Sequence, residues 1–275
     1  MSYKSITLRC FFVALCVLFG LGFSSIVNAE DDDGAFTWQA DLGFTVQHRT
    51  YVVDSLDTGD GEVSLGLLLA GGMYYEDFFI ETSPFTSRPL TLGYTLSKTR
   101  STMVNLVGMS SFGTISEEFQ EEGNRLDGIR TRHGSYEIGI EYLKQFPDSD
   151  MRIRVLHDVL NQHQGFVLSI DQSRPIYKTD WLIIPSWGAS YISENSVDYY
   201  YGVSEQEVRA GRPAYTAGSG WTLTGRIYVE RPINKDWTLF GFASYSQFSN
   251  SITDSPITSV DNGTHTIALG VLWTF

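Results

Sequence analysis

The sequence predicts an all-β protein, a transmembrane antiparallel β-barrel of about twelve strands that follows a cleaved signal peptide. Apolar and polar residues alternate with a period of two along the chain, and helical periodicity is nearly absent. Short and long connections follow one another between these segments, as in outer-membrane barrels. Tryptophans stand near the segment ends, where a belt at the membrane surface would place them. They are Trp38, Trp181, Trp221, Trp237 and Trp273.

The first 29 residues have the composition of a secretory leader. A basic start is followed by an apolar core, Cys10 to Phe23, and Val27-Asn28-Ala29 has the small-x-small character of a cleavage site. We expect cleavage after Ala29, with residues 1–29 as signal peptide and 30–275 as one barrel domain. A membrane anchor is disfavoured, because about fourteen apolar residues are too few to span a bilayer.

Charge and hydropathy exclude two classes of protein. The chain has 32 acidic and 19 basic residues, and two of the basic ones, Lys4 and Arg9, lie in the leader. So acidic a protein repels phosphate backbones, which excludes nucleic-acid binding. A mean hydropathy of −0.10 excludes a helical membrane protein but not a barrel, in which alternation dilutes the apolar residues.

Both cysteines, Cys10 and Cys16, also lie in the leader, so burial and backbone pairing must stabilise the exported part.

The alternation predicts twelve strands in order along the chain. They cover residues 35–47, 62–75, 78–83, 90–96, 101–112, 135–146, 151–160, 166–176, 181–193, 221–233, 237–250 and 264–275. An even number places both ends on the short-turn side, which is periplasmic in such barrels. Residues 78–96 could instead be one bent strand, which would make eleven. The chain stops on Phe275, which resembles the terminal assembly signal of bacterial outer-membrane barrels.

One hairpin can be given a register from the sequence. A turn at residues 147–150 places Phe146 opposite Met151 and Tyr142 opposite Val155, so that apolar residues meet outside and polar residues inside.

Charged residues of both signs are predicted to face the lumen. They are Glu137, Glu141, Arg152, Arg154, Asp158, Asp171, Arg226 and Glu230. Such a set could line a selective pore or hold a ligand, or it could brace the interior of a small barrel. The sequence predicts no catalytic residues, no metal site and no cofactor, because His157 and Asp158 point to opposite faces and His163 is expected on the surface.

The long loops are rich in acidic residues. These residues could bind the divalent cations that bridge lipopolysaccharide phosphates, or they could simply be solvated. Within loop 195–219, Ser204 and Glu207 have the spacing of a capping box, which predicts a short helix. An ordered loop of this length is a candidate for folding over the barrel mouth.

Three stretches resemble the MltA-interacting protein (MipA/OmpV) family. They are residues 198–220 (DYYYGVSEQEVRAGRPAYTAGSG), the segment from Leu126 to Tyr142 and the terminal segment from Gly270 to Phe275. The resemblance implies an outer-membrane protein without catalytic residues, in contact with outer-membrane lipids and lipopolysaccharide. It further implies a scaffold between a murein lytic transglycosylase and a murein synthase, or a permeability protein, adhesin or surface antigen. Its motif residues are Tyr200, Tyr201, Gly202, Pro213, Tyr215, Gly218 and Gly220.

Overall fold

The computed structural model describes residues 36–53, 62–82, 90–116 and 125–274. The predicted cleavage site after Ala29 and the predicted assembly signal Phe275 lie outside these residues. The strands are β1 (Thr37–Arg49), β2 (Glu62–Tyr75), β3 (Phe78–Thr82), β4 (Leu90–Lys98), β5 (Thr102–Ser111), β6 (Ser135–Gln145), β7 (Asp150–Asp158), β8 (Phe166–Ser173), β9 (Ile176–Lys178), β10 (Trp181–Ile192), β11 (Gly220–Pro232), β12 (Trp237–Phe248) and β13 (Gly263–Thr274). The helices are α1 (Glu194–Tyr201) and α2 (Asn250–Thr253), with a 3-10 turn at Glu205–Glu207.

The strands form one antiparallel sheet that closes on itself, because β13 pairs with β1. β8 and β9 both pair with β10 and are two parts of one barrel strand. The interruption falls at Pro175, which has no N–H to donate to a ladder. The described residues therefore form a barrel of twelve strands, as predicted. Residues 78–96 contribute two of these strands, since Phe78 of β3 pairs with Tyr94 of β4.

The alternation in the sequence becomes the two faces of the barrel wall. On β1, the side chains of Asp41 and Thr45 are buried, whereas that of Phe44 is 54% exposed. Leu67 on β2 and Leu269 on β13 are 67% and 64% exposed. Large apolar side chains outside and polar ones inside are typical of a wall that lipid covers. No helix in the described ranges has the length and apolar character needed to cross a membrane.

The predicted register of the β6–β7 hairpin is wrong by two residues. Tyr142 pairs with Ile153 rather than with Val155. The turn is placed one residue earlier than predicted, at Phe146–Ser149, where the Phe146 N–H donates to the Ser149 carbonyl at 2.8 Å. Because side chains alternate with a period of two, a slip of two residues leaves every side chain on its predicted face.

Two apolar clusters fill parts of the interior. The first, near the short-turn end, consists of Ile184, Tyr228, Phe240 and Leu272. The second, on the side of β3 to β7, consists of Phe79, Val107, Met109 and Leu156. The ring of Phe79 lies over Gly93, where a Cβ atom would overlap it. The glycine is therefore needed for the ring to turn into the barrel.

Candidate functional site: a capped barrel interior

The loops at the long-loop end fold into a cap that packs on the ends of the strands. The predicted loop 195–219 is part of this cap, and so are α2 and the segment around residues 125–130. The buried apolar residues of the cap and of the strand ends beneath it are Val53, Leu126, Ile129, Val167, Ile192, Val197, Tyr200, Tyr201, Val203, Ala217, Ile252 and Ile257. One continuous cluster thus joins loops that are far apart in sequence.

α1 lies at the centre of the cap and is a helix that the sequence reasoning missed. Three consecutive tyrosines favour a strand on propensity alone, yet packing makes them helical. α1 ends where the Gly202 N–H donates to the Asp198 carbonyl at 2.8 Å, and a Cβ on Gly202 would overlap that carbonyl. Tyr200 is buried, and its hydroxyl donates to the carbonyl of His133 at 3.1 Å.

The other residues of the motif divide into buried and exposed ones. The Tyr215 hydroxyl donates to a main-chain carbonyl of α2 at 3.1 Å. Burial raises the pKa of Tyr201 to about 12, so this phenol stays neutral. Tyr201 and Gly220 are buried in the cap, whereas Pro213 and Gly218 are exposed. The motif therefore has mainly a packing role in this conformation.

The buried carboxylate of Glu207 holds several segments of the cap together. The capping box predicted with Ser204 is present, although it begins a single 3-10 turn. Arg132 donates from both terminal nitrogens to the Glu207 carboxylate, at 2.8 and 3.1 Å, and both side chains are buried. Burial alone would raise the pKa of Glu207. Hydrogen bonds from Arg132, from Ser204 and from the Arg130 N–H outweigh it and hold that pKa well below its usual range.

A second buried arginine ties the cap together through carbonyl oxygens. Arg212 donates from Nε and Nη2 to the carbonyl of Glu207, at 2.9 and 2.7 Å. It also donates to the carbonyls of Arg125 and Asp127, at 2.5 and 2.6 Å. Burial lowers the pKa of Arg212. The sequence reasoning missed Arg132 and Arg212, because an arginine in a polar loop is usually solvated.

His163, expected on the surface, is buried, and that prediction is wrong. Its side chain and that of Glu137 are fully buried, with His163 Nε2 at 3.6 Å from Glu137 Oε1. Its Nδ1 accepts the Gly165 N–H at 3.1 Å and lies 2.9 Å from the Ser196 hydroxyl. Because Nδ1 accepts, Nε2 carries the proton and faces the carboxylate. Ser196, His163 and Glu137 thus form a row, the His163 row, that connects α1 to the barrel wall. Ser196 is fully buried in it.

Asp158 holds the loop that carries His163. Its carboxylate accepts the Ser135 hydroxyl and the N–H groups of Leu160, His163 and Gln164. Two non-glycine residues of this loop have positive φ, a conformation that persists only where surrounding contacts impose it. The carboxylate thus positions the imidazole.

The structure brings five of the predicted lumen residues into two ion-paired groups. Glu141 lies 2.6 Å from Arg154 Nε and 3.2 Å from Arg152 Nε. Asp171 lies 3.0 Å from Arg226 Nη1. In a low-dielectric interior such pairs stabilise the fold only when both partners are kept, since either one alone is a buried uncompensated charge.

The two remaining lumen candidates lie in other surroundings. Glu230 accepts a hydrogen bond from the Tyr228 hydroxyl at 2.6 Å, and Glu137 belongs to the His163 row. The sequence reasoning missed the bond from the Tyr74 hydroxyl to Glu81, at 3.0 Å. Within the described ranges, no three His, Cys, Asp or Glu side chains gather in a way that could hold a metal ion.

A family model described as MltA-interacting protein MipA matches residues 42–275. The chain belongs to the MipA family. Outer membrane protein OmpV of Vibrio cholerae is 27% identical over 203 residues, which are 74% of this chain and 76% of that protein. Putative outer membrane protein YiaT of Escherichia coli K12 is 29% identical over 202 residues, 71% of this chain and 79% of that protein. This MipA-family chain is accordingly an outer-membrane β-barrel protein.

One further relative matches over a shorter stretch, and two solved structures share low sequence identity. The MltA-interacting protein of Escherichia coli K12 is 27% identical over 146 residues, 52% of this chain and 58% of that protein. Among solved structures, the outer membrane channel DcaP of Acinetobacter baumannii aligns with a TM-score of 0.42 at 7% identity, covering 88% of this chain and 97% of that one. The KdgM porin aligns with a TM-score of 0.37 at 8% identity, covering 87% and 99%. The closed pairing of the strands, with β13 hydrogen-bonded to β1, identifies the barrel.

Proposed function

We propose that this MipA-family barrel is a non-enzymatic scaffold of the outer membrane, which holds a murein lytic transglycosylase and a murein synthase at its short-turn end. The observation that carries the proposal is the filled and capped interior. A barrel built mainly to conduct solutes would keep its lumen open, whereas Met109, Leu156 and Phe240 are at most 1% exposed inside this one.

We infer the class of partner from the family, since one relative is named MltA-interacting protein. The wall is in contact with outer-membrane lipids, and the cap faces the lipopolysaccharide side when the short turns are periplasmic. The periplasmic surface then consists of the short turns, which carry charged tips. These turns include Glu76-Asp77, Pro147-Asp148-Ser149, Thr179-Asp180 and Asn234-Lys235-Asp236.

Affinity capture tests the scaffold directly. The detergent-solubilised protein is used to capture murein enzymes from a periplasmic extract, beside variants in which the charged residues of one short turn at a time are changed to Ser. We expect at least one turn variant to lose the transglycosylase, while the cap variant Glu205→Ser retains it. Failure of the wild-type protein to capture any murein enzyme would reject the proposal.

A second function, passage of small solutes, is favoured by the ion-paired groups in the lumen. The Asp171–Arg226 pair is only partly buried, with side chains 30% and 19% exposed, and is therefore within reach of water. Planar-bilayer conductance distinguishes the two functions. A protein that stays silent even after residues 196–219 are deleted is not a pore, whereas steps that change with Arg226→Ala would support one.

A further inference from the structure

Two imidazoles meet on the outer surface of the barrel. His48 Nδ1 lies 3.2 Å from His265 Nε2, and the ring centroids are 5.0 Å apart. His48 is on β1 and His265 on β13, the two strands whose pairing closes the barrel. His48 pairs with Ile267, so His265 is its diagonal neighbour two residues along. Cross-strand neighbours of this kind have their side chains on the same face.

The pair faces outward at the edge of the lipid-covered wall. On the same face, Val46 of β1 is 49% exposed and Ile267 of β13 is 53% exposed. His48 is the last residue but one of β1, and His265 is the third residue of β13. Both therefore lie at the long-loop end, where the wall leaves the bilayer and dissolved ions have access.

The distance between the two nitrogens fits a shared metal ion. Zinc binds imidazole nitrogen at about 2.0–2.1 Å with tetrahedral angles, which places two nitrogens on one ion roughly 3.4 Å apart. The observed 3.2 Å needs only a rotation of the rings, because the barrel register already sets the positions of the two residues. Without metal, one nitrogen donates its proton to the other. With metal, the two facing nitrogens bind the ion and each ring carries its proton on the far nitrogen.

We propose that His48 and His265 form a two-imidazole site for a borderline transition-metal ion such as Zn²⁺ on the outward surface. Imidazole suits zinc, copper and nickel, whereas magnesium and calcium take oxygen ligands. The two histidines supply two ligands, and water occupies the remaining positions. The site is independent of the scaffold function, since it lies at the opposite end of the barrel from the short turns.

Calorimetric titration of the untagged protein from Glu30 to Phe275, without the leader that carries Cys10 and Cys16 and refolded in detergent, tests the site. We expect Zn²⁺ to bind one site per chain and Mg²⁺ not to compete for it. His48→Gln and His265→Gln should each weaken zinc binding at least ten-fold, because one imidazole alone chelates nothing. His133→Gln, which changes an exposed histidine of the cap, should leave the affinity unchanged.

Two results would overturn the proposal. One is a wild-type protein that binds no zinc, and the other is a His48→Gln/His265→Gln double variant with wild-type zinc affinity. Circular dichroism of each variant shows that its barrel has folded. The glutamines retain hydrogen bonding at the wall edge, so a folded double variant is expected.

Discussion

Arg132 and Glu207 form a bidentate ion pair inside the cap, although 75 residues separate them in the chain. The pair joins the segment before β6 to the segment after α1, and it closes the cap from two sides. Five donors converge on this one carboxylate, counting the Ser204 N–H and hydroxyl and the Arg130 N–H. Among the long-loop acids that the structure describes, Glu207 should therefore contribute most to the stability of the cap.

Removing the carboxylate should open the cap. In Glu207→Ala the Arg132 guanidinium remains buried without its partner, which typically costs about 3–5 kcal/mol. We expect limited proteolysis within residues 195–219 to accelerate by roughly two to three orders of magnitude, since each 1.4 kcal/mol is about a factor of ten. Glu205→Ala, an exposed acid of the same turn, is the matched control. Equal cleavage rates in the two variants would contradict the role of Glu207.

Acid should loosen the cap through the same residue. The pKa of Glu207 is depressed in the folded state, so its contribution to stability is fully present above the unfolded pKa of about 4.3 and is lost as pH falls below it. Hydrogen exchange at the Arg130 and Ser204 amides, corrected for the intrinsic pH dependence, should accelerate below about pH 4. In Glu207→Gln this acceleration should be absent. An identical pH profile in both proteins would assign the loosening to another group.

The His163 row should hold α1 against the barrel. His163→Ala removes the acceptor of the Gly165 N–H and the imidazole that faces Glu137, and leaving a buried donor such as the Gly165 N–H unpaired costs about 1–3 kcal/mol. Hydrogen exchange in α1 should accelerate by ten-fold or more, while the amides of β1 and β2 stay protected. His265→Ala, which changes a histidine on the outer face of β13, should leave α1 unchanged. The reverse order of effects would place the attachment of α1 elsewhere.

The ion-paired group of Glu141, Arg152 and Arg154 should stabilise the barrel wall. Glu141→Gln leaves Arg152 and Arg154 without their shared carboxylate, so we expect a lower midpoint of thermal unfolding in detergent. A triple variant with Glu141→Leu, Arg152→Leu and Arg154→Leu should recover much of the loss, because an apolar replacement of a whole buried group is often near neutral. If Glu141→Gln were as stable as the wild-type protein, this ion-paired group would not stabilise the wall.

The sequence reasoning succeeded in the wall and only in part in the cap. It predicted the Ser204–Glu207 capping box and the folding of loop 195–219 over the barrel mouth, but it missed α1 and the burial of His163. In a strand the inside or outside position of Phe44 or Thr45 follows from the period of two alone, so a slip of two in the β6–β7 register changed no face. Glu207 and His163 have no such period. Both looked like solvated loop residues, and only partners far along the chain, Arg132 and Glu137, bury them.

By itself, the sequence determined the all-β class, the twelve strands, the two faces of the wall and the alternation of short turns and long loops. Each depends on local periodicity, which hydrophobic burial and backbone pairing translate directly into structure. Only the tertiary structure decided that the loops form a packed cap, that α1 is helical and that His48 meets His265. These features arise from contacts between residues distant in sequence, whose geometry is set by closure of the barrel and not by any local pattern.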